Sequence, residues 1–401
     1  MQNNSITMQY KYTVSMYYLD NVRNINNEIP SEYIKSIVID HNYDKNYMPI
    51  VYITLSLDKR MLDDMILNSN KNLFVLSISK YNDLTDDKQQ IECFREKFIY
   101  FIPKNVNKSD GIDYNEMNES QTMGNTFIQL TMGLMCLKHI NNNKKSLELI
   151  AKNNTILDCV KYCTSHMDNL IIEPFIYNDT YDQIIMRPQD SVSKALDFLN
   201  NYRVFYNTPY RYYQDFNFTY IISSSGNAIS KKDELYSSIL INVMDIDNTS
   251  SNNIGFSINK SSNTYEVPVS YANTQVYDGS INNKSVNMIK TMSHTGTSIK
   301  SLKNNASYST DKYKTINIEN DNSNIIYNIE AENNNNNFFL YFAKEDIDTE
   351  LFTINKRISI NNIDRYKEHD GTYLMSRKRE CYMREDKNFG MTTLVNLKQI
   401  M

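Results

Sequence analysis

The stretch "PIVYITLSLD", Pro49 to Asp58, alternates without a break. Val51, Ile53, Leu55 and Leu57 point one way, with Tyr52, Thr54 and Ser56 between them, which is the period of a strand with one buried face. Asp58 stands where it can cap the next element, "KRMLDDMILNSN", in which Met61, Leu62, Met65 and Ile66 share one side of a helix. Outward from there, "YKYTVSMYYL" (Tyr10 to Leu19), "YIKSIVID" (Tyr33 to Asp40), "LFVLSISKY" (Leu73 to Tyr81) and "REKFIYFIP" (Arg95 to Pro103) are rich in β-branched and aromatic residues and read as further strands. Five strands and one short helix predict a small antiparallel barrel over residues 1–120.

The period then changes. "SLELIAKNNTILDCVKYCTSHM" (Ser146 to Met167) reads as a helix with Ile156, Val160, Cys163 and Met167 on one stripe. A second helix is expected over Asp190 to Tyr202, capped by Asp190, with Val192, Ala195, Leu196 and Leu199 as its buried face. Eight aromatic residues follow between Phe205 and Tyr220. Turn residues Asn207, Thr208 and Pro209 break the run, and Gly226-Asn227 ends it. The expected arrangement is helix, strand, turn, strand, with one set of rings packed on the helix as core. An exposed aromatic platform is the alternative. Residues 121–235 therefore read as a middle α+β domain.

From Asp245 to about Thr310 the chain is rich in Asn, Ser and Thr, which predicts a polar insertion at about 248–310 with short strands such as "TYEVPVSY". Strand patterns return in "KTINIEN", "NIIYNIEAE", "FFLYFA" and "LFTINKRISI", and the five-Asn run Asn333 to Asn337 marks a loop. "DGTYLMSRKRECYMRE" and "MTTLVNLKQI" finish the chain as strands. Residues 236–401 are expected to form a second β-barrel domain carrying the insertion.

The net charge of −5 comes from 42 basic and 47 acidic residues, with no broad basic face for nucleic acid. Arg377-Lys378-Arg379 sits beside Glu380 and reads as a solvated strand or turn. Five scattered cysteines do not form a disulfide framework. No signal peptide and no apolar run long enough to cross a membrane are visible, so a soluble protein made in the cytosol is expected. Gly and Pro are scarce while Asn, Lys, Ile and Tyr abound, the mark of an AT-rich genome such as those of many phages and their low-GC hosts.

No nucleophile elbow, phosphate-binding loop, dinucleotide fingerprint or zinc-protease motif occurs. Cys159, Cys163 and His166 share a helix face but lack a fourth ligand and the usual pair spacing. His41, His139, His294 and His369 are isolated in sequence. No catalytic, cofactor-binding or metal residue is assigned, and the chain is not expected to be an enzyme.

One stretch does carry a family pattern. Met186-Arg187-Pro188, the helix from Ser191 to Asn200, Phe205-Tyr206-Asn207-Thr208, the aromatic run Tyr213 to Phe216 and Tyr220-Ile221-Ile222 together resemble the middle of baseplate hub proteins of long-tailed phages. The closing "HDGTYLMSRKRECYMREDKNFGMTTLVNL" is similar to the last strands of their second barrel. Val204 stands where the family usually has Gly. The resemblance implies a mainly β chain with two tail-tube-like antiparallel β-barrels joined by a helix-containing domain. It also implies a homotrimeric virion component, assembled in the host cytoplasm, that connects the tail tube to the central spike and lines the DNA channel. Partners would be the tail tube protein, the spike, other baseplate proteins and the tape measure protein, with DNA passing unbound. A host-surface or glycan-binding tail protein is the second expectation, and a wall-degrading tail enzyme the third.

Overall fold

The computed structural model describes residues 10–20, 25–43, 46–68, 73–82, 89–101, 119–122, 125–206, 210–223, 239–244, 257–259, 264–268, 288–293, 296–301, 313–317, 337–342, 353–354, 356–362 and 370–400. The chain is mainly β. Its first part contains β1 (Tyr10–Asp20), β2 (Ile25–Ile29), β3 (Ile34–Asn42), β4 (Ile50–Asp58), α1 (Lys59–Asn68), β5 (Leu73–Asn82), β6 (Ile91–Phe101), β7 (Glu119–Thr122) and β8 (Asn125–Cys136). All five predicted strands are present, and Met61 N–H donates to the Asp58 carboxylate at 2.7 Å, the expected cap of α1.

These strands do not close a barrel by themselves. Closure needs β8 and the final hairpin, β22 (Gly371–Glu385) with β23 (Asn388–Ile400). The ring runs β22, β3, β4, β8, β6, β5, β1, β23 and back to β22, eight strands with every pairing antiparallel. A barrel of this size is just wide enough to be filled by its own side chains. Ile37, Ile39, Val51, Ile53, Leu55, Leu57, Phe74, Leu76, Ile78, Phe98 and Leu134 fill it, all essentially inaccessible. Leu62 of α1 joins this core. The ring of Phe101 lies over Gly133 of the neighbouring strand, where a Cβ would overlap it.

The sequence pattern places the closing hairpin in a second barrel and ends the first barrel by residue 120. Both expectations are corrected by the pairing of β22 with β3 and of β8 with β4 and β6. Strand patterns report which residues face a core, not which strands are neighbours. The seam between β1 and β23 rests on a single register pair, Tyr12 with Phe389.

The hairpin also reaches beyond the barrel. Arg377 to Met383 of β22 pair with β3, whereas Arg357 to Ile360 of β21 (Arg357–Asn362) pair with Gly371 to Leu374. A register shift between Met375 and Arg377 marks the change of partner, as a β-bulge does when it bends a strand. Tyr43 N–H and the Ser376 carbonyl bond across that point at 3.1 Å. Asp386 takes the positive φ, 52°, that the two-residue turn at the far end requires.

Beside the hairpin's near end lie β14 (Ile239–Met244), β15 (Ser257–Asn259), β16 (Thr264–Pro268) and β20 (Asn337–Phe342). β14 is parallel to both β16 and β21, and β20 pairs with β23. A separate three-stranded sheet holds β17 (Met288–Ser293), β18 (Gly296–Ser301) and β19 (Tyr313–Asn317). Four strands, β15 to β18, thus fall within the predicted polar insertion. "NIIYNIEAE", Gly226-Asn227, Asn207 to Pro209, His294 and His369 lie outside the described residues.

The middle region holds α2 (Leu137–Asn143), β9 (Leu147–Thr155), α3 (Ile156–Thr164), β10 (Leu170–Ile172), β11 (Thr180–Gln189), α4 (Val192–Tyr202), β12 (Tyr210–Gln214) and β13 (Thr219–Ser223). The helix expected from Ser146 begins only at Ile156. Residues 147–155 instead form β9, antiparallel to β11, because Leu147 and Ala151 face the core at strand period and Asn153 adopts a positive φ. Thr155 and Asp158 then form a capping box that starts α3.

The helix α4 buries Val192, Ala195, Leu196 and Leu199 as expected. Its cap is Ser191, whose hydroxyl accepts from Lys194 N–H at 3.3 Å, and not Asp190, which pairs with the Lys194 ammonium at 2.6 Å. Ser191→Ala should therefore lower stability by about 1 kcal/mol. Asp190→Ala should leave it unchanged, as an exposed pair contributes little. Urea titrations of the two variants check the assignment.

Candidate functional site

The aromatic run is core. Phe205, Tyr206, Tyr212, Tyr213 and Tyr220 are buried, while Phe218 remains 40% exposed. Phe205 stacks on Phe175 at 4.6 Å, and Tyr206 donates its hydroxyl to the carbonyls of Glu173 and Ile221. The platform alternative loses its rings.

One ring of the run leaves the middle region. The β12–β13 hairpin carries Asp215, Phe216, Asn217 and Phe218 at its tip, closed by Asp215 N–H to the Phe218 carbonyl at 2.7 Å. Phe216 enters the end of the barrel. It stacks on Phe94 of β6 at 4.1 Å, meets Phe98 edge-on at 6.2 Å, and lies against His139 of α2 and His41 of β3 at 5.9 and 6.4 Å. A cavity of about 110 Å³ beside it is lined by His41, Lys80, Asp215, Lys378, Glu380 and Tyr382 among others. Two histidines that look isolated in sequence thus meet at one ring.

The basic triplet meets the same end of the barrel. It is not solvated: Lys378 and Arg379 are buried and Arg377 half-buried, because β22 is an interior strand between β3 and β23. Strand alternation divides the triplet. Arg377 grips Asp40 through two bonds of 2.7 and 2.6 Å, and Arg379 lies 3.6 Å from the same carboxylate. Lys378 turns the other way and pairs with Glu380 at 2.9 Å, and Tyr382 donates to Glu380 at 3.1 Å. Arg211 of β12 donates to the Met375 carbonyl at 2.9 Å, tying the middle hairpin to the bulge.

Burial sets the charges here. His41 is held below its ordinary pKa by burial and by the Lys378 ammonium, against the pull of Asp215, Glu380 and Asp40. Its Nδ1 faces the Tyr213 hydroxyl at 3.1 Å. His139 is lowered to about 4, chiefly by burial. Burial would raise Glu380, yet Lys378, His41 and the bonds from Lys378 and Tyr382 hold it below the usual carboxylate range. A histidine kept neutral by folding supports stability above its ordinary value and loses that support as pH falls toward its folded value. For His139 that window runs from 6.5 down to about 4. At pH 5 the loss should be about 2 kcal/mol. His139→Gln should flatten that part of a stability-versus-pH curve.

Cys159 and Cys163 are fully buried, and burial pushes their thiols up to about 11 and 12. His166 Nε2 lies 3.0 Å from the Asn142 carbonyl. Among the described residues no group of three His, Cys, Asp or Glu is placed to hold a metal ion.

The crystal structure of the tail protein from Neisseria meningitidis MC58 matches at a TM-score of 0.51 and 10% identity, covering 97% of each chain. This likeness is one of fold. The 43 kDa tail protein of prophage MuSo2 from Shewanella oneidensis reaches 0.49 at 8% identity, covering 97% of this chain and 96% of that one. The half-lidded PdpA-VgrG complex of Francisella reaches 0.47 at 12% identity, covering 99% and 59%. No curated protein matches the chain. The chain belongs to the bacteriophage PBS1 gene 109 protein family, whose profile matches residues 3–400.

Proposed function

We propose that the chain is a structural virion protein, the baseplate hub of a phage tail, which connects the tail tube to the central spike. The observation that carries this reading is the shared hairpin. β22 and β23 run on past the closed barrel and pair there with β21 and β20, so one continuous sheet ties the barrel to the strands β14–β16, β20 and β21 beside it. An adaptor at a tube end needs two β units held rigidly in one subunit. Membership of a phage protein family and a tail-protein fold over nearly the whole chain support the same reading.

Three subunits with two tube-like units each present six units with three-fold symmetry, which fits a six-fold tube on one side and a three-fold spike on the other. The second unit would be built on residues 236–371 together with the near end of the hairpin. The hub would meet the tail tube, spike, baseplate and tape measure proteins. A net charge of −5 suits a channel that DNA passes without binding. In this role the chain carries no catalysis. Electron cryomicroscopy of the virion tests the proposal: three copies are expected at the junction of tube and spike. Six copies at one level, or copies on outer fibres, would overturn it.

A further inference from the structure

We propose that the Asp215–Phe218 tip is a proton-operated plug, which closes the barrel mouth at neutral pH and withdraws when His41 and His139 take up protons. This goes beyond the hub reading and does not rest on it. Three features of the geometry support it. First, both imidazoles lie against Phe216, the ring that the tip places at the mouth. Second, the tip is short and its outer residues, Asn217 and Phe218, are exposed, so it can leave without carrying the hairpin along. The rest of the hairpin has its own anchors, with Tyr213 fully buried and Arg211 bonded to the Met375 carbonyl. Third, the cavity beside Phe216 gives water a place to enter as the ring leaves.

Besides the ring contacts of Phe216, the tip is held by the Asn169 side-chain amide, which donates to the Asn217 carbonyl at 2.9 Å, and by Thr219 N–H to the Asn169 carbonyl at 3.2 Å. Gln214 N–H donates to the Tyr47 carbonyl at 2.8 Å, and the Gln214 side chain bonds Asn142 at 3.3 Å and the His139 carbonyl at 3.4 Å. The charges that face His41 are Lys378 and Glu380 from β22, Asp40 from β3 and Asp215 from the tip, with Tyr213 and Tyr43 beside it. His139 faces Asp215, Lys138 and His41. Asp215, Glu380 and Asp40 reward protonation of His41 with the tip in place, and of these only Asp215 belongs to the tip, 4.0 Å from His41 with its side chain 22% exposed. Burial, a second imidazolium and the two lysines act the other way. In the withdrawn state both imidazoliums reach water, so the open state binds more protons and acid favours it.

Hydrogen–deuterium exchange on the full chain tests the plug. The segment spanning residues 214–218 should lose about tenfold or more in protection between pH 7.5 and pH 5, after correction for intrinsic exchange. Protection of residues 50–58 in β4 should stay unchanged over the same range. The double variant His41→Gln/His139→Gln should remove the pH dependence of the tip. Protection that stays constant or rises on acidification would mean that Asp215 clamps the tip, and the plug is wrong. A fall in parallel with β4 would mean whole-barrel unfolding and is equally fatal. If the double variant does not fold, the difference between the two segments in the wild-type chain is enough to decide.

Discussion

Leu199→Asp should cost about 5 kcal/mol or more, enough to unfold the middle region of the chain. Leu199 is inaccessible and sits in one cluster with Val192, Ala195, Leu196, Phe205, Tyr212 and Ile221. Two effects add. Removing the leucyl side chain leaves a cavity in a cluster pinned on several sides, since α3, α4, β9 and β11 pack together there. The carboxylate that replaces it has no cation within the apolar cluster, so it is buried unpaired or forces the helix away. Leu199→Ala isolates the first effect and should cost about 2–5 kcal/mol. Chemical denaturation followed by the near-ultraviolet tyrosine signal separates the two variants. A Leu199→Asp protein as stable as the wild type would mean that α4 does not pack where it is placed.

That packing is legible because a helix face is a local pattern. Val192, Ala195, Leu196 and Leu199 repeat at helical spacing, and Val51 to Leu57 repeat at strand spacing, so each segment announces its own buried side. The illegible parts are those fixed by partners distant in sequence. Tyr12 pairs with Phe389, and Asp40 meets Arg377. Neither neighbour is written near the other. The β9 strand escapes a sequence reading for a different reason: Leu147 and Ala151 satisfy both a helical and a strand spacing, and the cap at Thr155 that settles the matter lies in the middle of the segment.

The candidate site is hidden for the same reason as the barrel seam. Four of its members, His41, His139, Phe216 and Lys378, come from β3, α2, the β12–β13 tip and β22. A basic triplet followed by Glu looks like solvated charge because that is what most such runs are. One signal points the other way. "SRKRECYM" lies between apolar strand residues with no Gly or Pro, so a long strand has to pass straight through it. Where such a strand turns a face toward packed neighbours, the charges on that face are buried, and each buried charge must then find an opposite one.

Lys378→Met should lower stability by about 3–5 kcal/mol at pH 7. Lys378 and Glu380 are each over nine-tenths buried and 2.9 Å apart. Without the ammonium, Glu380 keeps, among the described residues, the hydrogen bond from Tyr382 and the neighbouring His41, too little to offset the loss of its hydration. Its pKa should then rise from below the usual carboxylate range to above it, because burial is the largest influence acting on it and the largest opposing one has gone. The sign of the pH dependence reverses in consequence. In the wild type Glu380 stabilises above its ordinary value of 4.5 and loses that contribution as pH falls through its lower folded value. In Lys378→Met it destabilises at neutral pH and recovers as it takes a proton. Lys378→Met/Glu380→Gln removes the charge and keeps an acceptor for Tyr382, so most of the lost stability should return. Urea titrations at pH 7 and pH 5 of the wild type and both variants give the test. If the single variant loses no more than the double one, the pair holds no buried charge and the polar layer at the barrel mouth is solvated after all.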